Sequence, residues 1–294
     1  MNKGKNRRVW SALLIILGVF LLLYVVSMLA LFWWGFLTSF KDGMNDLNRF
    51  DKNRGFGFPK VWKVENYVSV FKDIEMAAQP GKTVGFFPIL GNSLLYAIGC
   101  AFFKTLVPCL TAYSCAKFNF KTSKIVYTIV LITMIVPIVG SLPSELKVAY
   151  ALGFHNHIWG LWIMAANMQG LYFFVMYSAF KAMPMGYSEA AKIDGANNGQ
   201  ILVKIALPLI KNLFLTVLLI NFVEYWNNYQ SPKVYLPYYP TLGYTLFYYF
   251  NSNKFDVVAK VIALAFIVAS PVLVLFLIFQ DRLMGNLTMG GLKG

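Results

Sequence analysis

Charge is what this 294-residue chain lacks most. Only 13% of its residues are charged, against about 25% in an average soluble domain. Acidic residues are scarcer still, 12 against 26 basic ones. The three cysteines, Cys100, Cys109 and Cys115, share one apolar segment and form no CxxC pair. That excludes a thiolate metal site and leaves them as small buried hydrophobes. HExxH and GxSxG are also missing, so nothing in the chain indicates an enzyme. His155 and His157 stand in a turn without partners at metal-ligand spacing. "MAAQPGKT", Met76 to Thr83, ends like a phosphate-binding loop but has Met76 where that loop needs glycine, and its flanks are an expected external loop and a membrane helix, on the side of the membrane without ATP.

What the chain has instead is apolar length. Hydrophobic residues make up 58% and aromatics 17%, with a mean hydropathy of +0.59. Runs approaching the roughly 20 residues of a bilayer crossing recur. The first, Val9–Phe40, follows the basic head "NKGKNRR" and far exceeds a signal-peptide core of about 7–15 residues. A charged stretch, Lys41 to Gly85, reads as a soluble loop with a short amphipathic helix near "VENYVSVFKDI". Five further crossings are predicted at Phe86–Ala116, Ile125–Leu142 (broken by Pro137 and stopped at Pro143), Ile158–Phe180, Leu209–Tyr229 and Val257–Phe279. The expected fold is all-α: six membrane helices, divided as residues 1–85 (first helix and external loop), 86–281 (a five-helix core with a polar loop at 181–208) and 282–294 (a tail).

The net charge of +14 reads as anchoring by the positive-inside rule, not as nucleic-acid binding. Lys/Arg number four in the eight-residue head, three in Lys117–Lys124 and four in Lys181–Lys211, but one in Pro143–His157 and two in Ser231–Phe255. The first three segments are therefore expected in the cytoplasm with both termini, the last two outside.

One cytoplasmic segment is unusual. "EAAKIDGANNGQILVKIALP", Glu189 to Pro208, places charge, amide and glycine between apolar runs. Pro184 suits a first helical turn, and Ser188 or the turn before it can cap one. "EAAKID" forms a compact helix that Gly195 can end in a left-handed conformation. "NNGQILVKIAL" restarts as an amphipathic helix. Helix, turn and helix on a membrane face suit docking into a partner; an ordinary solvated loop is the other reading.

The spacing resolves this by resemblance. Glu189, Ala190, Ala191, Gly195, Ile205, Leu207 and Pro208 match the signature loop of permease subunits in binding-protein-dependent ABC importers. "NSLLYA" at Asn92, "ALGFHNHIWGL" at Ala151, "VEYWNNY" at Val223 and the terminal "MGGLKG" resemble the carbohydrate branch, specifically the shorter six-helix partner of maltose-type permeases. The long charged loop and Lys104 depart from that pattern. The resemblance implies a coupling helix, with Glu189 and its neighbours to Asp194 and Gly195 seated in a groove of a cytoplasmic ATPase subunit. It also implies that Asn286, Met289, Gly290, Gly291 and Lys293 reach the ATPase interface, a frayed terminus being the alternative. The implied partners are a second permease subunit, two ATPase subunits and an external solute-binding protein in a cell membrane. ATP and magnesium would be held by the ATPases and no cofactor by this chain.

The solute path is sought among intramembrane polar groups, which are costly in lipid. Asn221, Glu224, Tyr225 and Asn228 recur at i, i+3, i+4, i+7 on one helical face, flanked by Trp226 and Asn227. Rings beside amides and a carboxylate suit a sugar; interhelical hydrogen bonding would require the same residues. Lys104, the other intramembrane charge, can pair with a carboxylate, snorkel, or attract an acidic sugar. The reading is a permease half for a sugar or oligosaccharide. A permease for a peptide or amino acid is the rival within transport. A membrane glycosyltransferase is the rival outside it, opposed by the absence of an acidic pair near an interface.

Overall fold

The computed structural model describes residues 3–42, 57–118, 121–136, 140–252 and 258–287. Apart from one hairpin, the elements among these residues are helical. Two compact units are distinguished, residues 1–74 with 249–268 and residues 75–248 with 269–294.

The first unit is built on α1, Lys3–Ser39. At 1.5 Å per residue its 37 residues extend about 55 Å. From Leu13 to Trp33 its apolar side chains are exposed, as lipid-facing positions are. Its end is buried: Leu37, Thr38, Ser39 and Lys41 are at most 4% exposed. The last carbonyls of a helix have no partner within it. Here Asn66 supplies one, its Nδ2 donating to the carbonyls of Ser39 (2.8 Å) and Lys41 (3.0 Å). Asn66 belongs to α2, Glu65–Asp73, the amphipathic helix expected in the charged loop. Further along, Gly35 lacks a side chain where Phe266 lies against α1, and Phe266 meets Phe32 and Phe36 edge-on at 5.3 and 5.9 Å.

The second unit begins with a hairpin, β1 Met76–Gln79 and β2 Lys82–Val84, paired antiparallel. Pro80 and Gly81 (φ 75°) make its turn. Proline presets the first turn position, and the next needs positive φ. The stretch that mimics a phosphate loop is thus strand, turn and strand, and its glycine and lysine belong to the hairpin, not to the start of α3 at Phe86.

Then follow α3 Phe86–Lys117, α4 Lys121–Ile135, α5 Leu142–Ala151, α6 Ile158–Ala165, α7 Leu171–Ala182, α8 Gly186–Ile193, α9 Asn198–Ile201, a π-helical turn Leu202–Ala206, α10 Leu207–Leu209, α11 Lys211–Asn227, α12 Gln230–Tyr235, α13 Leu242–Ser252 and α14 Val258–Leu287. The central post is α3, against which α6, α7 and α11 pack. Alongside Ile89, Tyr96 and Tyr113 its buried residues include Ser93, Ala97, Cys100, Ala101, Thr105, Cys109 and Ala112, small residues that let neighbouring backbones approach. The cysteines are buried as expected. Beside Cys109 and Ala112 lie Phe173, Met176 and Phe180 of α7, with Ile210 and Val217 from the start of α11.

Among the described residues three helices, α1, α3 and α14, are continuous, apolar and long enough to cross a bilayer; the pair 198–209 and 211–227, bent by 79° at Ile210, makes a fourth where it is taken as one span. The other two predicted crossings are not single rods. Helix α4 has 15 residues, about 22 Å, short of the roughly 30 Å hydrocarbon core. Pro137, expected to break it, lies outside the described residues. The run Ile158–Phe180 is divided into α6 and α7 by an irregular segment at 166–170. Gly170 there has φ 117°, and Asn167 Nδ2 folds back onto the carbonyl of Met164. The polar pair Asn167 and Gln169 before a glycine marks the break in sequence, although hydropathy averaged over the run conceals it.

Candidate functional site

The loop at 183–210 follows from local chemistry. Met183 is extended (ψ 125°), as a residue before proline must be, so Pro184 precedes α8 instead of opening it. Met185, not Ser188, occupies the N-cap position, without a side-chain hydrogen bond. At the other end Gly195 has φ 84°. The Ala196 N–H donates to the Ala191 carbonyl (2.9 Å) and the Gly195 N–H to that of Lys192 (3.1 Å), the paired bonds of a Schellman termination. The chain restarts at once in a capping box: the Gln200 N–H donates to Asn197 Oδ1 (2.9 Å) and the Asn197 N–H to Gln200 Oε1 (2.8 Å). Glu189, Ala190, Asp194 and Gly195 stand exposed, whereas Ala191 is turned inward. Ile205 and Leu207 are half-buried, and Pro208 is exposed just before the 79° bend. Composition alone did not single out the apolar rim: Met185 and Tyr187 are about half exposed and Ile193 87% exposed. The tail residues Met289, Gly290, Gly291 and Lys293 lie outside the described residues, and Asn286 falls in the last turn of α14.

A long-range contact ties this loop to the core. Lys117, the last residue of α3, donates from Nζ to the Met183 carbonyl at 2.7 Å, with Met185 Sδ at 3.9 Å. A lysine at a helix C-terminus interacts favourably with its dipole; here it also holds the start of the loop. Lys117→Met should weaken that attachment by about 1 kcal/mol, a charged hydrogen bond discounted for its solvent access. Faster proteolytic nicking between Met183 and Gly195 in the otherwise intact variant would be the readout. Unchanged nicking would show that Lys117 does not restrain the loop.

The polar residues of α11 divide by neighbour. Asn221 is fully buried and donates to Thr105 Oγ1 on α3 at 2.9 Å. Trp226 is 2% exposed and stacks on Phe222 at 5.6 Å, so its face is already covered. Asn228 Oδ1 accepts from the Ser231 N–H (3.0 Å) and fixes the start of α12. Asn227 donates to the Val223 carbonyl and borders an apolar groove with Leu219 and Phe276. Only Glu224 and Tyr225 remain on an accessible polar surface. Glu224 lies within electrostatic reach of Tyr96, Lys104, Tyr172 and Tyr225. Lys104 reaches from α3 to the break at 166–170, donating to Asn167 Oδ1 at 2.7 Å and approaching the Gln169 carbonyl at 3.5 Å. Irregular backbone at membrane depth is tolerated where protein buries it or a cavity is lined. Tyr96, Asn167, Gln169 and Tyr172 therefore join this locus, though their separation in sequence concealed it.

His155 stacks on Tyr150 (4.0 Å) and His157 Nδ1 lies 3.0 Å from the His155 carbonyl. Among the described residues no cluster could hold a metal ion.

The chain belongs to the family described as "Binding-protein-dependent transport system inner membrane component", which matches residues 104–284. It is a transport component of the membrane, and its family is not one of enzymes. It is similar to the diacetylchitobiose uptake system permease protein NgcG of Streptomyces coelicolor, at 26% identity over 92% of this chain and 86% of that protein. The melibiose/raffinose/stachyose import permease protein MelC of Bacillus subtilis is 30% identical over 70% of this chain and 77% of that protein. A solved bacterial ABC transporter involved in the import of the acidic polysaccharide alginate has the same fold. Its TM-score is 0.74 at 22% identity, over 94% of this chain and 97% of that one.

Proposed function

We propose that this chain is one permease half of an ATP-driven importer that moves a neutral sugar or oligosaccharide into the cytoplasm. The observation that carries the reading is the similarity over most of the chain to permeases named for saccharides, NgcG, MelC and the arabinooligosaccharides permease AraQ of Bacillus subtilis. The partners are a second permease subunit, two ATPase subunits that bind ATP and magnesium, and an external solute-binding protein. Helix α8 is the docking element: Glu189 offers a charge and Met185, Tyr187 and Ile193 an apolar rim, a combination suited to a groove with a basic wall. Six crossings with both termini cytoplasmic follow from the Lys/Arg distribution. Glu224, Tyr225 and Lys104 belong to the solute path; Asn221, Trp226 and Asn228 support it through packing and capping.

The test is purification through a tag on this chain from its own membranes, with uptake of radiolabelled neutral oligosaccharides in cells lacking or regaining the gene. Co-purification of an ATPase and gene-dependent uptake are expected. In the same cells a cysteine at Asn198 should be shielded from an impermeant thiol reagent and one at Lys233 labelled. Uptake unaffected by loss of the gene, or import of a non-saccharide solute alone, would overturn the substrate class. Reversed labelling would overturn the orientation.

A further inference from the structure

Between α3, α5, α6, α11 and α12 lies a cavity of about 210 Å³ that shares Tyr96 and Tyr225 with the locus around Glu224 but extends beyond it to Glu145, Ser231 and Tyr235. Tyr96, Glu145, Tyr225, Ser231 and Tyr235 supply its polar wall. Leu161, Met164 and Ala165 of α6 supply an apolar one. Tyr96 is 1% exposed, and its hydroxyl has no partner at good hydrogen-bonding geometry, the Ser231 side chain offering it only a weak contact. Buried hydroxyls normally find a partner, and one left without a partner is costly. Tyr235 donates to Glu145 Oε2 at 3.3 Å, a long bond that leaves the second carboxylate oxygen open to another donor. The rings of Tyr96 and Tyr225 pack edge to face, 5.8 Å apart and 88° inclined, which fixes both against the cavity.

We infer that this cavity is a subsite for a single neutral sugar ring, resting on the reading that the chain belongs to a saccharide importer. The chemistry is specific. A sugar ring has C–H faces that pack on aromatic and aliphatic walls, and an equator of hydroxyls that both donate and accept. The apolar wall of α6 and the half-buried Tyr225 ring meet the faces. The Tyr96 hydroxyl donates to one ring oxygen, and Glu145 accepts from one hydroxyl. The lining contains one acidic and no basic side chain, which disfavours a uronic or phosphorylated sugar at this position. Sequence separation explains why no motif reveals it: the five polar residues span Tyr96 to Tyr235 and converge only when α5 and α12 fold over α3. With Tyr225 shared between this cavity and the surface around Glu224, the subsite stands at the outer end of the proposed path. It would hold one unit of a chain while the next units advance.

The experiment uses the complete transporter in proteoliposomes, with the native cysteines of this chain replaced and Ser231→Cys introduced. Labelling by a small methanethiosulfonate is timed with D-glucose, D-galactose, D-xylose, L-arabinose or D-glucuronate present. At least one neutral monosaccharide should slow labelling, and D-glucuronate should not. Tyr96→Phe, which keeps the ring, and Glu145→Gln, which keeps the shape, should each raise the protecting concentration about tenfold, equivalent to ~1.4 kcal/mol. If no neutral sugar protects, or protection survives both substitutions, while the complex still imports saccharide, the cavity holds water alone and the permease reading stands. If the complex imports no saccharide, that reading fails and the subsite with it.

Discussion

Gly195→Pro is expected to reduce recovery of the ATPase with this chain at least tenfold while leaving the protein inserted. Proline holds φ near −65°, whereas residue 195 sits at 84°. The substitution also deletes the N–H that donates to the Lys192 carbonyl. With the termination gone, the path from Ala191 to the Asn197 cap is redirected, and Glu189 and Ile193 no longer face one way. A graded series separates conformation from bulk. Open space surrounds the position where a Cβ would project, so size is not the obstacle. Gly195→Asn should be nearly silent because asparagine visits the left-handed region readily. Gly195→Ala should cost about 1–2 kcal/mol. Pull-down of the ATPase with each variant provides the ranking. Normal recovery with proline would mean that docking lies elsewhere.

The second large effect is expected at Gly99 on α3. A Cβ built there would lie 2.0 Å from Trp162 Nε1 and 2.2 Å from Cε2. The indole is rigid and is held by its N–H bond to the Leu95 carbonyl (3.0 Å). Gly99→Ala must therefore expel the ring or part α3 from α6. Overpacking of this kind costs about 1–3 kcal/mol, and the lost hydrogen bond about 1 kcal/mol more. A marked fall in the thermal midpoint of the purified complex is expected, with saccharide import falling in parallel because α6 carries the apolar wall of the cavity. Trp162→Leu should rescue much of the loss in the double variant by clearing the space. An unchanged midpoint for Gly99→Ala would show that the helices are not in this contact.

Much of the architecture is legible because its causes are local. The spans at α1, α3 and α14 follow from uninterrupted hydropathy, which acts on every residue of a run independently of its neighbours in space. The loop from Glu189 to Pro208 is legible for a similar reason: its termination, restart and caps involve groups no more than five residues apart. The amphipathic α2 follows from the pattern within nine residues.

What tertiary structure alone decided is which partner each polar group meets. One stripe on α11 looks uniform in sequence. Yet the side-chain N–H of Asn221 is taken by Thr105, 116 residues away, while Glu224 stays exposed within electrostatic reach of Lys104 and Tyr96. The joining of Lys117 to Met183 spans 66 residues, and that of Tyr235 to Glu145 spans 90. A hydrogen-bonding group left unpaired inside a membrane is costly, and sequence shows that need. It does not show which distant atom meets it, because that depends on how helices with similar apolar composition pack around α3.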